Sequence, residues 1–308
     1  MLKQKKILLI IIISFVIFLI SIKFVDFFLQ KKFGLGNPII YESSRIYGYS
    51  IRPNQVINRL GNKIIINNLG MRSSNNWDDE GKKKIIFLGD SVTYGGSIVS
   101  NKDLFSEKVC DKLNKKDNQY ICGNLGVNGY NLYSLIRNIK YKNFDKDSLL
   151  IITIIANNFP RMFHNVISQP FWTNKIENFL PALTEIFFII NDKYRNQIKY
   201  NLGEEKKLRN TDIKYYNDLI YELKNVLSDK GYKYIILYSP SKMEMIKKEN
   251  NEIYKNILKI NFQNFFDLTE IDFEKKEEIY HDNIHLNKQG HNIYSKYIYS
   301  LISKKNLY

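Results

Sequence analysis

The chain has 308 residues and a mass of 36.5 kDa, with 44% hydrophobic and 25% charged residues. That length and apolar content support one large domain with appendages, or two small ones, and exclude a globally disordered chain. The net charge of +15 accompanies a composition rich in Lys, Asn, Ile and Tyr, and six lysines against one aspartate fall in residues 1–33; there is no zinc-finger spacing, RNP-like motif or basic stripe with base-reading aromatics, so the charge does not point to nucleic acid.

Residues Ile7 to Ile22 form an uncharged apolar run, and after Lys23 the chain continues apolar at Phe24, Val25, Phe27, Phe28 and Leu29. This is close to the roughly 20 residues a bilayer span needs, with Lys23 able to snorkel. Lys3, Lys5 and Lys6 precede the run and by the positive-inside rule stay in the cytoplasm. A short Lys-rich start also fits a signal peptide, but no A-x-A-like cleavage site follows. Residues 1–30 are therefore expected to be a transmembrane anchor, with the rest of the chain on the extracytoplasmic side. Residues 31–80 read as a stalk with a small β arm: Gln55–Leu60 and Lys63–Asn67 flank Gly61-Asn62, which predicts a hairpin.

From residue 81 onward the pattern is that of an α/β domain, predicted to run to residue 308. Strands are predicted at Lys84–Leu88, Tyr120–Cys122, Ser148–Ile155, Tyr234–Tyr238 and Asn264–Leu268. Helices are predicted at 103–115, 131–140, 211–230, 241–258 and 288–304, the last with Asn287 as N-cap. Strands alternating with helices imply a parallel sheet covered on both faces. Residues from about 160 to 210 break this rhythm with Pro160, Pro170, Pro181 and an apolar patch; they read as a helical insertion and a candidate lid. Its aromatics Phe171, Trp172 and Phe179 suit packing better than substrate contact. Cys110 and Cys122 are the only cysteines, and two readings stay open: a disulfide outside the cytoplasm, or two buried thiols.

In an open parallel sheet, ligands bind beyond the carboxyl ends of the strands. The polar residues expected there are Gly89-Asp90-Ser91, Asn124–Gly129, Asn157 with Asn158, and Asp282 with His285. A hydroxyl nucleophile needs an adjacent base, and an imidazole base needs a carboxylate to fix its tautomer. Asp282 and His285 are close enough for one loop to deliver both. The backbone N–H groups of Ser91 and Gly129 and the Asn157 amide are candidate oxyanion donors, with Gly126 as competitor to Gly129. His164, His281 and His291 are the other histidines, and of the four only His285 has the right offset from Asp282.

The run Phe87-Leu-Gly-Asp-Ser-Val-Thr-Tyr-Gly95 closely resembles block I of the SGNH (GDSL-like) hydrolases. Asn124-Leu-Gly-Val-Asn-Gly-Tyr130 resembles block II, and Asp282-Asn-Ile-His-Leu-Asn-Lys-Gln-Gly290 resembles block V, all in the family's order. The stalk segment Asn67-Asn-Leu-Gly-Met-Arg72 looks like what precedes the domain in some membrane-anchored members. Two departures stand out: Ile155-Ala-Asn-Asn158 replaces G-x-N-D, and Leu286 replaces the common Pro after the block V His. The resemblance implies a three-layer α/β/α, flavodoxin-like fold, the triad Ser91, Asp282 and His285, the oxyanion set Ser91, Gly129 and Asn157, and no metal or organic cofactor. It implies a serine esterase acting on a small-molecule or glycan acyl ester. An O-acyltransferase that modifies an envelope polysaccharide with the same triad is the first alternative. The second is a non-catalytic, membrane-tethered binding domain, for which the altered block III is the only support.

Overall fold

The computed structural model describes residues 2–77, 81–163, 173–201, 210–271 and 275–304. Helix α1, Leu2–Phe33, runs unbroken past Lys23 and ends three residues beyond the expected anchor boundary. At 1.5 Å per residue its 32 residues reach about 48 Å, more than the roughly 30 Å of a bilayer core. Its large side chains from Ile7 to Ile20 stand exposed, and by length and composition the helix qualifies as a membrane span, as a signal sequence also would.

Two antiparallel hairpins follow, β1 (Tyr41–Ser44) with β2 (Gly48–Ile51), and β3 (Gln55–Arg59) with β4 (Asn62–Ile66). The second is the expected hairpin, with its turn at Leu60-Gly61 rather than Gly61-Asn62. That places Asn62 in the ladder, where its side chain donates to Ser97 O at 3.0 Å. The first hairpin had no sequence signal, because its strands are too short and polar to show alternation. Ile39, Tyr41, Tyr49, Ile51, Ile57 and Ile64 pack into one buried cluster with Tyr94, Val127 and Tyr130 of the main domain. The arm is thus built into the domain surface, next to two of the loops singled out above.

The sheet contains β5 (Lys83–Leu88), β6 (Tyr120–Asn124), β7 (Leu149–Ile154), β8 (Lys233–Tyr238) and β9 (Phe265–Asp267), all parallel, in the order β6-β5-β7-β8-β9. This is the flavodoxin-like 2-1-3-4-5 order, with its switch point between β5 and β7. The helices are α2 (Ser91–Tyr94), α3 (Phe105–Asp117), α4 (Leu132–Tyr141), α5 (Pro181–Asn201), α6 (Asn210–Asp229), α7 (Lys242–Met245), α8 (Glu252–Asn261) and α9 (Lys288–Lys304). The two-residue period of the strands sorts the core. Ile86 and Leu88 of β5 face Leu132, Ile136, Ile220 and Leu258 of α4, α6 and α8, while Ile85 and Phe87 face Phe105, Val109, Tyr294 and Ile298 of α3 and α9. All six residues of β7 are buried, as a central strand covered on both faces requires. The three-layer α/β/α architecture matches the expectation.

The single helix expected over 241–258 is two helices. Ser241 and Glu244 form a reciprocal capping box that starts α7, Lys247 adopts φ 57°, and α8 begins at Glu252. The intervening Lys247–Asn251 stretch has no apolar residue to bury, so nothing holds it helical. Asn287 accepts from Gly290 N–H at 3.0 Å and starts α9 as expected. Cys110 of α3 and Cys122 of β6 form a disulfide with a Cα–Cα distance of 5.8 Å. Within the insertion, Phe171, Trp172 and His164 lie outside the described residues.

Candidate active site

The turn after β5 delivers Ser91. A Cβ on Gly89 would meet the Thr153 carbonyl of β7 at 2.8 Å and Thr93 Oγ1 at 2.2 Å, so only glycine lets the chain leave the strand this close to its neighbour. Asp90, 1% exposed, caps α2 by accepting from Val92 N–H at 3.0 Å, and Ser91 is the first residue of that helix. Ser91 therefore sits at the carboxyl edge of the sheet, at the switch point.

The loop before α9 delivers the other two residues. Its ends are closed by the Tyr280–Leu286 bridge and by His281 N–H donating to His285 O at 2.8 Å. Asp282 Oδ1 accepts from the N–H groups of Ile284 (2.8 Å) and His285 (2.7 Å), which folds the segment into a tight turn. Its other oxygen, Oδ2, lies 2.7 Å from His285 Nδ1, and His285 Nε2 lies 2.8 Å from Ser91 Oγ. With Oδ2 accepting from Nδ1–H, Nε2 is left to accept from the serine hydroxyl. Partial burial opposes the charge on Asp282, but the two backbone N–H bonds and the imidazole together hold its carboxyl below the ordinary carboxylate range. Leu286, in place of the family proline, is buried against Ile279 and Tyr294.

The loops after β6 and β7 flank this relay, since those strands flank β5. The N–H of Gly126 donates to Asn124 Oδ1 at 2.9 Å and is buried, so it is committed to the loop's own fold. Gly129 is half-buried with φ 77°, and its N–H has no acceptor among the described residues. Asn157 is exposed at the end of β7; Asn158 is buried, accepts from Ile155 N–H at 2.7 Å and donates to Tyr130 O at 2.9 Å. The two adjacent asparagines thus differ: Asn158 is tied into the scaffold, and Asn157 is exposed.

Several supporting residues carried no sequence signal. Arg161 Nη1 donates to Asp90 Oδ2 at 3.1 Å and to Tyr130 O at 2.6 Å, so one guanidinium joins the nucleophile turn to the Gly129 loop. Tyr49 of the arm donates to Asn128 O at 2.5 Å, and Tyr130 donates its hydroxyl to Tyr49 O. Burial pushes the Tyr49 phenol up to about 12, so it remains a donor at neutral pH. Asn124 Nδ2 donates to Thr93 O at 2.6 Å and fastens the same loop to α2.

His281 is exposed and takes no part in the relay's hydrogen bonds, whereas His291 is fully buried. His291 Nδ1 accepts from Phe105 N–H at 3.2 Å and the ring stacks on Phe105 at 5.4 Å. Burial first, then nearby Arg72 and Lys108, depress it to about 3. A depressed histidine stays neutral in the folded chain while the unfolded chain takes up a proton near pH 6.5. Its contribution to stability is thus present above pH 6.5 and lost as pH falls toward 3, by about 2–3 kcal/mol between pH 6.5 and 4.5. His291→Asn keeps an acceptor for Phe105 but cannot titrate. Urea unfolding of the variant is expected to show a shallower acid limb than the parent; equal slopes would assign the acid loss to other groups.

A profile of the family described as GDSL-like Lipase/Acylhydrolase matches residues 85–298, well over half of the chain. No curated protein matches it significantly. Among solved structures, a lipolytic protein of the G-D-S-L family from Veillonella parvula aligns at 13% identity and TM-score 0.42, over 72% of this chain and 98% of its own. The esterase EstA from Pseudoalteromonas sp. aligns at 12% and 0.42 over 72% and 98%. The lipase/acylhydrolase from Enterococcus faecalis aligns at 12% and 0.43 over 72% and 96%.

Proposed function

Because the chain belongs to the GDSL-like lipase/acylhydrolase family, whose members hydrolyse esters, we propose that it cleaves a carboxyl ester through an acyl-enzyme on Ser91. The observation that carries this reading is the unbroken hydrogen-bond relay from Asp282 Oδ2 through His285 to Ser91 Oγ. Ser91 Oγ attacks the ester carbonyl as its proton passes to His285 Nε2. Asp282 holds the imidazole in the reactive tautomer and stabilises the imidazolium. The tetrahedral oxyanion rests on the N–H groups of Ser91 and Gly129 and on the Asn157 amide. Collapse breaks the ester C–O bond, and His285 returns the proton to the departing alcohol. Water, deprotonated by His285, then releases the carboxylic acid and restores Ser91. The substrate is a small-molecule or glycan acyl ester.

We place the enzyme on the outer side of a membrane, held by α1 with Lys3, Lys5 and Lys6 on the cytoplasmic side. The Cys110–Cys122 disulfide supports that side, since such bonds persist in oxidising compartments.

The direct test treats the full chain with a fluorophosphonate and locates the modified residue by mass spectrometry. The expected product carries the phosphonyl group on Ser91 and is absent from His285→Ala; no modification in a folded chain would overturn the acyl-enzyme. Gly129→Ala tests the oxyanion set. Its φ of 77° disfavours a side chain, and a Cβ would meet Tyr49 Oη at 2.8 Å, so the loop must shift. The kcat is expected to fall by about 10²-fold, near the loss of one oxyanion donor, with KM little changed. Full activity in a folded variant would remove Gly129 from the site.

A further inference from the structure

The start of α5 is bonded to the boundary of the apolar run of α1. Asp26, fully buried, accepts from Leu183 N–H at 3.0 Å and from Gln30 Nε2 at 2.6 Å, thereby capping α5 from the side of α1. Lys23 donates to Phe179 O and lies 4.5 Å from the centre of its ring. Glu185, 1% exposed, accepts from Gly36 N–H and pairs with both terminal nitrogens of Arg59 on β3. These bonds fix α5 to the end of the span and to the arm together.

Beyond that docking point four consecutive residues of the helix are bare. Phe187, Phe188, Ile189 and Ile190 are 65%, 44%, 46% and 62% exposed, and Phe24, Val25, Phe27 and Phe28 of α1 stand exposed close by in sequence to Asp26. Four consecutive exposed apolar side chains cover most of a helix circumference, which water does not favour. They lie about 6–10 Å along the α5 axis from the Leu183–Asp26 bond, so they stay near the end of the span. Lys23, Lys31 and Lys32 stand at the same end of α1, the last two against Phe27 and Phe28, where they would meet anionic headgroups.

We propose that α5 is a second membrane element: residues 187–190 enter the interface of the same anionic bilayer that holds α1. This rests on reading α1 as a span. The domain then has two attachment points instead of a swivelling tether. Glu185 and Arg59 carry the constraint into the arm, which packs against Tyr130 and Val127 beside Gly129. The catalytic edge is accordingly held in a fixed orientation toward esters presented at the membrane surface.

The test uses the full chain reconstituted in phosphatidylglycerol-containing vesicles, with bimane attached to Phe188→Cys, and to Ile12→Cys and Lys296→Cys as mid-span and exposed references; the native cysteines are occupied by their disulfide. Unchanged hydrolysis of a soluble ester reports that each labelled chain is folded. The proposal expects the label at 188 to lose fluorescence to brominated lipid and resist aqueous iodide, as at 12 and unlike at 296. Iodide quenching at 188 with lipid quenching at 12 overturns it and leaves the anchor standing. Shielding at 188 from both quenchers assigns the patch to a second copy of the chain and also overturns it. Iodide quenching at 12 removes the span itself, and the proposal with it.

Discussion

Ser91→Ala is expected to lower kcat/KM for ester hydrolysis by about 10⁴- to 10⁶-fold, the range seen when a triad nucleophile is removed and only binding and oxyanion donors remain. The size of the effect follows from the arrangement. His285 Nε2 has Ser91 Oγ as its partner at 2.8 Å, and the Asp282 turn exists to hold that imidazole. Alanine leaves the base with no hydroxyl to activate, so His285→Ala in the same background should add little further loss. The fold should not suffer: Ser91 is half-buried, and the cap of α2 comes from Asp90, not from the serine. Steady-state kinetics beside a urea titration decides the matter. Activity within tenfold of the parent in a folded variant would show that the relay is not the engine of the reaction.

Arg72→Met is expected to destabilise the domain by about 3–5 kcal/mol. Arg72 is fully buried and donates to four acceptors: the carbonyls of Tyr94 (2.7 Å), Gly96 and Val99, and Asn101 Oδ1 at 3.2 Å. Its guanidinium also lies 4.8 Å from the centre of the Tyr94 ring. Burial lowers its pKa, the sign of a charge kept in a costly place by what it bonds. Asn101 continues the network by donating to Ile65 O at 2.9 Å, so Arg72 and Asn101 help join the loop behind the nucleophile to β4. Methionine fills similar space but leaves the three carbonyls unmatched, while Asn101 Oδ1 keeps the Ile65 N–H. Arg72→Lys should rescue little, because a single ammonium cannot span the fork of acceptors. Urea midpoints measure both variants, and a loss below about 1 kcal/mol in Arg72→Met would mean water replaces the guanidinium freely.

Much of this could be read along the chain because it is written in short-range patterns. Continuous apolar runs such as Ser148–Ile155 had to be central strands, and Gly89 before Asp90-Ser91 marked a sharp strand exit. Asp282 and His285, three residues apart, needed one turn to meet, so their pairing was also legible. Where local signal ran out, errors followed. The apolar gap at 247–251 split an expected helix, and the β1–β2 hairpin is too short and polar to have a period.

The residues of one strand, helix or turn carry their own instructions, through periodicity, capping and backbone freedom. The α/β alternation, the apolar N-terminal helix and the candidate triad were therefore present in the bare order of amino acids. Pairings across long separations are not encoded that way. That Arg161 reaches Asp90, that Tyr49 holds the Gly129 loop, and that Asp26 caps α5 depend on where the packed sheet and arm bring distant segments together. The different burial of Asn157 and Asn158 and the union of Cys110 with Cys122 have the same origin: each depends on which neighbour already fills the space or claims the bond.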